Sequence, residues 1–349
     1  MKGFRPNRSI LGISSDSRIY PYLVLIPVFF GIFIAADDQT VVVTILPEII
    51  RDFKFTTYEL DRASWTVTGY LLGYVAAMPL IGSISDIFGH RNMYIFCIIM
   101  FLLGSALVAL SQSFYLLIAA RIFQAVGAGA LIPISIAIVG DIFPQNSRSI
   151  PLGILGACAE AGAVIGPLWG GVIIRVLDWK WAFWINIPLG VVVIVGVFFL
   201  IQDNVRRTAP IDFVGGGLLI ILLSTLTLGL SRISDLDFLM ICLLITSLIS
   251  LILFSIRIKR FRFPLFPIEM FHSRIFNFVH ITHLIIGAAL IISMVTLPLM
   301  ANTVLNMTPL GGGLMLMRMT VAIPVGAVIG AVILKYLGYR TPIIIGLGV

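Results

Sequence analysis

Charge is scarce in this sequence. Asp, Glu, Lys and Arg together make up 11% of its 349 residues, where a soluble domain carries roughly a quarter. Only four histidines and three cysteines occur. Cys97, Cys158 and Cys242 all fall inside long apolar runs, which excludes a disulfide framework and a cysteine-based metal cluster. No Gly-x-x-x-x-Gly-Lys-Ser/Thr loop is present, so the chain has no phosphate cradle of its own for ATP. The short polar connections hold no nucleophile–base pair and no metal-ligand set. That argues against an enzyme and implies no cofactor and no metal. What the chain has in abundance is apolar residue, 59% hydrophobic, with a mean hydropathy of +1.10.

The apolar residues are grouped in runs of bilayer length. A spanning helix needs roughly 20 mostly apolar residues. A window of about that length places spans near 22–46, 63–83, 92–111, 115–139, 150–174, 182–201, 212–231, 238–257, 275–300 and 311–333. Pro47, Gly89, Ser111-Gln112-Ser113, Pro144, Pro210 and Pro309 punctuate the breaks. The fold class expected is an all-α polytopic membrane protein with ten complete spans.

Basic residues sort by loop. The N-terminal tail and the even-numbered loops hold fifteen, with Arg257, Lys259, Arg260, Arg262 and Arg274 the densest group. The odd-numbered loops hold six: Arg51, Lys54, Arg62, Arg175, Lys180 and Arg232. Basic loops stay in the cytoplasm, so the N-terminus is expected inside a bacterial-type inner (plasma) membrane. The formal charge of +7 then reflects topology and anionic inner-leaflet lipid, with no nucleic-acid partner implied. Trp179, Trp181 and Trp184 cluster at the predicted outer face, where amphipathic aromatics are favoured. The first span is too long and too acidic for a cleaved signal sequence, and no small-residue cleavage site follows it. Beyond Arg340 the nine residues Thr341–Val349 rise about 13 Å as helix, against a hydrocarbon core of roughly 30 Å. They read as the start of an eleventh span whose remainder is a missing C-terminal segment.

Four local patterns carry more information than the hydropathy. Gly82-Ser-Ile-Ser-Asp86-Ile-Phe-Gly89-His-Arg91 lies between the second and third spans. Its glycines suit close helix approach, and its acid and base suit helix termini. The fourth span holds Arg121-Ile-Phe-Gln124-Ala-Val-Gly127-Ala-Gly129. A charge two turns inside a span is expensive and usually functional, although an arginine near a helix end can also snorkel. On the fifth span Gly162, Gly166 and Gly170 recur every four residues beside Pro167 and Gly171, a face for tight helix packing. The first span contributes Asp38-Gln-Thr40-Val-Val-Val-Thr44-Ile-Leu-Pro47.

Together these resemble the major facilitator superfamily, with Gly82–Arg91 similar to its loop signature, Arg121–Gly129 to its helix-four signature and Gly166–Gly171 to its antiporter signature. The Asp38 segment, together with Trp179-Lys-Trp-Ala-Phe-Trp-Ile-Asn186-Ile-Pro188, looks like the drug:proton antiporter subfamily with fourteen spans. Ile87, Ala125 and Val43 depart from that pattern. The resemblance implies a gating role for Gly82, Asp86, Gly89 and Arg91, a proton-coupling role for Asp38 and Arg121, and a substrate contact for Gln124. Ala331–Arg340 is a worn copy of Gly82–Arg91, with Gly338 matching Gly89. Superfamily halves are repeats, so the expected organisation is a six-helix bundle over 1–202, two linker helices over 203–262 and an incomplete second bundle over 263–349.

Three carboxylates fall within spans: Asp37, Asp38 and Glu160. A buried carboxyl is a candidate proton carrier. The family motif selects Asp38, whose place on the helix suits a cavity edge. Helical spacing selects Asp37, because Asp37, Thr40 and Thr44 form one stripe at i, i+3 and i+7. Glu160 lies about 160° from Gly162 and can face a cavity, or bond a neighbouring helix, while the glycines pack. Arg121 and Gln124 share a face and can meet either acid. Arg318 has no motif behind it. His280 and His283, one turn apart, suit core or cavity packing better than a metal. The expected function is proton-driven export of an amphipathic small molecule. A narrow metabolite or siderophore exporter is the second transport reading, and a non-transporting remnant or partner-dependent subunit is the reading from another class.

Overall fold

The protein, as a computed structural model, is described here over residues 20–55, 60–201, 211–233, 236–266, 268–305 and 309–338, with 341, 344 and 346. Every regular element among them is helical: α1 (Tyr20–Asp52), α2 (Leu60–Phe88), α3 (His90–Ala109), α4 (Phe114–Ile142), α5 (Ser149–Val176), the short α6 (Trp181–Trp184), α7 (Asn186–Leu200), α8 (Phe213–Ser231), α9 (Phe238–Arg260), the short α10 (Ile268–His272), α11 (Arg274–Thr303) and α12 (Pro309–Leu337). Eight segments are long and apolar enough to cross a bilayer: α1 to α5, α6 with α7, α8 and α9. Apolar runs at Arg274–Leu290 and Val321–Leu334 place α11 and α12 where the ninth and tenth spans were expected. Most of the start of the eleventh span, the basic N-terminal tail, Pro210 and Arg340 lie outside the described residues, as do the side chains of Arg318 and Lys335.

Several helices outrun their hydropathy. At 33 residues α1 is about 50 Å long, against roughly 30 Å of hydrocarbon. Pro47 does not end it, and the helix continues to Asp52. The segment expected as a loop after the second span is mostly helix too, since α2 runs through Gly82 and Asp86 to Phe88. Ser83 and Ser85 turn their hydroxyls back onto the carbonyls of Pro79 and Gly82, at 3.2 and 2.6 Å, so neither competes for the chain's direction. Only Gly89 breaks it, with φ at 93°, a conformation that costs glycine nothing. Gly338, the expected counterpart of Gly89, has φ at 73°.

The sixth span is two helices rather than one. Pro188 lacks the N–H that would bond the carbonyl of Trp184, and the ladder is interrupted at Ile185, where α6 hands over to α7. This break puts Asn186 at a helix start inside the bundle. Other helix starts carry side-chain caps: at α4 Ser113 accepts from the N–H of Leu116 at 3.3 Å, and at α8 Asp212 from that of Gly215 at 2.9 Å.

The helices α1 to α7 enclose two apolar cores. One is built from Val24–Ala35 of α1, Tyr94–Leu102 of α3, Ala125–Val139 of α4 and Val193–Val197 of α7. The other takes Val41–Ile49 of α1, Val108 and Ala109 of α3, Leu117 and Ala120 of α4, and Trp179–Phe183 at α6. Between the two sets lie buried polar side chains, one or two from each helix: Asp38 of α1, Ser105 of α3, Arg121 and Gln124 of α4, and Asn186 at the start of α7. Outside this bundle α8 and α9 pack on each other, α8 leans on α2, and α12 lies along α5 with α11 beyond it.

Candidate functional site: a buried ion pair between two cores

The residues left between the cores meet. Asp38 of α1 and Arg121 of α4 are both buried, at 1% and 0% exposure. Arg121 donates from Nη1 to Asp38 Oδ2 at 2.6 Å and to Gln124 Oε1 at 2.8 Å. Asp38 Oδ1 accepts from Gln124 Nε2 at 2.9 Å and from Asn186 Nδ2 at 2.7 Å. Asn186 reaches the hydroxyl of Ser105 on α3 at 3.1 Å, and that hydroxyl donates to the carbonyl of Phe183 at 2.9 Å. The ring of Tyr70 on α2 lies 4.0 Å from the guanidinium carbon, a cation–π contact, and its hydroxyl bonds the carbonyl of Ala35. One polar layer therefore ties α1, α2, α3, α4 and α7 together.

Taking both charges out of water costs several kcal/mol per ion. The layer offsets that cost with a short ion pair, two amides and an aromatic face. It is incomplete, however: among the described residues Arg121 Nε is buried without a hydrogen-bond partner. A guanidinium with one donor unsatisfied is held less firmly than one saturated on every side.

The sequence-selected residues divide into three groups. Asp38, Arg121 and Gln124 come together. Asp38 does not face a cavity edge, because it turns inward to α4 and α7. Gln124, which the family pattern associated with substrate, is fully enclosed, and both ends of its amide are engaged within the layer.

Asp37 belongs to the second group. Its stripe with Thr40 and Thr44 faces the glycines of α5, which run parallel to it. A Cβ built on Gly162 would strike the carbonyl of Phe33. One on Gly166 would strike the hydroxyl of Thr40 and come within 2.7 Å of the Asp37 carbonyl, and one on Gly170 would lie 3.3 Å from Thr44 Cβ. Thr40 keeps its hydroxyl on the carbonyls of Ala36 and Asp37. Pro167 lies within α5, and Gly171 lies off the contact, 3.9 Å from Thr44. The Asp37 and Glu160 carboxylates are half-buried and make no ion pair or hydrogen bond among the described residues.

The third group stands apart at one end of the bundle. Asp86 bonds His90 rather than Arg91, at 3.1 Å. Arg91 reaches the carbonyl of Ile201 at 3.5 Å and covers the ring of Phe198. His280 and His283 are exposed instead of packed, each turned back onto its own helix at Phe276 and Val279. Sequence reasoning quoted Asn186 without a role and passed over Tyr70, Ser105, His90 and Asp141. The available signal for Asn186 was Pro188, which predicts a helix break beside it.

A multi-pass helical membrane protein with an arginine–aspartate pair sealed between two apolar cores is the class these observations define. The chain belongs to the Major Facilitator Superfamily, whose sequence profile it matches over residues 28–349. It is 36% identical over 328 residues to a probable triacylglyceride transporter of Mycobacterium bovis, covering 91% of this chain and 63% of that one. It is 30% identical over 330 residues to multidrug resistance protein 3 of Bacillus subtilis, covering 92% and 63%. The chain thus spans somewhat under two thirds of the length of these relatives. Its fold is similar to that of the proton:xylose symporter XylE bound to 6-bromo-6-deoxy-D-glucose, with a TM-score of 0.60 at 12% identity over 92% of this chain and 70% of the symporter.

Proposed function

We propose that this protein is a secondary active transporter that exchanges protons for an amphipathic small molecule, which it exports, and that Asp38 carries the proton. The observation that carries this reading is the donor set around one carboxylate. Asp38 accepts from Arg121, Gln124 and Asn186. An ionised carboxylate only accepts, whereas a protonated one must donate. Taking up a proton therefore puts a donor against donors, and at least one of these bonds must open. Since the partners stand on α4 and α7, loading and unloading of the proton moves those helices relative to α1. Alternating access needs that kind of coupling between a bound ion and helix arrangement.

The cargo follows from the relatives' names. Relatives are named as triacylglyceride transporters and as a multidrug resistance protein, which supports an amphipathic or lipid-like compound as the proposed cargo. The higher identity to the mycobacterial proteins favours the lipid-like end of that range.

The test is pH-gradient-driven uptake into inverted membrane vesicles, with a fluorescent lipophilic cation in one arm and a fluorescent triacylglyceride analogue in the other. Asp38→Asn should reduce uptake to the vesicle background, because an amide cannot release a proton in the working range. Asp37→Asn should retain most of it. Full uptake in Asp38→Asn with loss in Asp37→Asn would move the proton to the Thr stripe, and full uptake in both would leave Glu160 as the remaining acid.

Orientation is a separate prediction. The N-terminus and the segment Arg257–Arg274 are expected in the cytoplasm, on the distribution of basic residues. A cysteine at Lys259 should react with a membrane-impermeant thiol reagent only in inverted vesicles, and reaction from outside intact cells would reverse the topology.

A further inference from the structure

A second charged cluster lies away from the Asp38 layer, at the end of the bundle where α2 turns into α3. His90 is the first residue of α3 and is buried at 7% exposure. Its Nδ1 is 2.6 Å from Asp141 Oδ2 on α4, and its Nε2 is 3.1 Å from Asp86 Oδ1 on α2. A neutral imidazole has one N–H, and an ionised carboxylate has none. Both contacts are hydrogen bonds only when an additional proton is present, placed most simply as an imidazolium between two carboxylates. Without that proton, a ring nitrogen lone pair faces an oxygen lone pair and one contact is lost.

The proton has access to water, in contrast to the Asp38 layer. The Asp86 and Asp141 side chains are 43% and 36% exposed. The neighbouring charges do not substitute for His90. On α3, Arg91 is turned to Ile201 and Phe198. Ahead of α5, Arg148 donates to the carbonyls of Gly140 and Phe143. Asp86 also borders a recess of about 600 Å³ shared with Lys259, Arg262, Glu269 and Asp212, of which Asp212 is paired with Arg257. Among the described residues, His90 is the cation paired with either Asp86 or Asp141. The linkage between α2 and α3 is the single residue Gly89, and among the described residues this imidazole is the side chain that ion-pairs the junction to α4.

We propose that His90 is a proton-operated clamp: charged, it ties the ends of α2 and α4 to the start of α3, and on losing its proton it releases one of them. This end of the protein then responds to the pH of the compartment it faces, independently of the proton at Asp38. The proposal does not rest on the transport reading above.

The experiment uses the chain in lipid nanodiscs, with no substrate. The chain has four histidines, and the other three, His272, His280 and His283, are exposed. Nitrogen NMR of histidine-labelled protein, with His90→Arg to assign the missing signals, should show both ring nitrogens of His90 protonated at neutral pH. A fluorine probe on Phe88→Cys, at an exposed position beside Gly89, then reads the end of α2, with Cys97, Cys158 and Cys242 replaced by alanine. Two probe environments are expected, exchanging population as His90 loses its proton. His90→Arg should hold the low-pH environment at every pH, and His90→Gln the high-pH one. Asp141→Asn gives the same reading if His90→Gln fails to fold, since it removes one arm of the clamp and should depopulate the low-pH environment. A neutral His90 ring at neutral pH overturns the proposal. So does a probe that ignores the titration, or a His90→Arg protein that still responds to pH as the wild type does.

Discussion

Arg121→Met should be among the most destructive single substitutions in this protein. It leaves the Asp38 carboxyl enclosed without its cation, with only the amides of Gln124 and Asn186 as donors. Removing one partner of a buried pair costs about 3–5 kcal/mol, and here the Tyr70 ring loses its cation as well. The expected reading is a large fall in the thermal midpoint of the purified protein, together with loss of transport. The second half of the prediction separates folding from function. Asp38→Asn added to Arg121→Met removes the stranded carboxyl, so stability should recover by about 2 kcal/mol or more while transport stays absent. A single variant that melts within a degree or two of wild type would mean that the pair is not sealed as described. A double variant that transports would remove Asp38 from the coupling step.

The second large effect is steric. Gly166 of α5 sits against the backbone of α1, and a Cβ there would lie 2.7 Å from the Asp37 carbonyl and 3.0 Å from the Val41 nitrogen. Backbone atoms cannot swing aside as a side-chain tip can. Helix association in lipid depends on van der Waals fit rather than on expulsion of water, so spreading the two helices has little to offset it. Gly166→Val should cost about 3 kcal/mol, read as loss of monodisperse protein on extraction. Gly171→Ala is the control. Its Cβ would meet nothing closer than Thr44 Cγ2 at 3.9 Å, and a helical alanine is favoured over glycine by up to about 1 kcal/mol. Equal damage from both would show that glycine is needed along α5 for some reason other than contact with α1.

The membrane-spanning architecture was legible because hydrocarbon imposes a length and a composition that few soluble segments match. Helix ends were less legible for a related reason. Hydropathy marks where lipid begins, whereas backbone hydrogen bonding carries α1 to Asp52 and α2 to Phe88, past Pro47 and through Gly82. The break at Ile185 could have been read from Pro188.

The buried polar layer shows a different limit. Motif order brought Asp38, Arg121 and Gln124 forward, but the helical wheel favoured Asp37, because a stripe of Asp, Thr and Thr looks like a wet face. It is a half-buried packing contact with glycines. A threonine hydroxyl can be satisfied by its own helix, as Thr40 is by Ala36 and Asp37, and then packs as a small side chain. Asn186, Ser105 and Tyr70 come from three other helices, so no local spacing could have joined them to Asp38. His90 occupied the unspecified position of a loop motif and drew no attention, although carboxylates stand 2.6 and 3.1 Å from its two ring nitrogens.

Proton release on substrate addition tests the role of Asp38 most directly. The protein is held in weakly buffered detergent with a pH-sensitive dye, and the cargo that the uptake experiments identify is added. Wild type and Asp37→Asn should each release protons in proportion to cargo bound, and Asp38→Asn should bind cargo and release none. Undiminished release from Asp38→Asn, with release lost in Asp37→Asn or Glu160→Gln, would contradict the assignment of the proton to the Asp38–Arg121 layer.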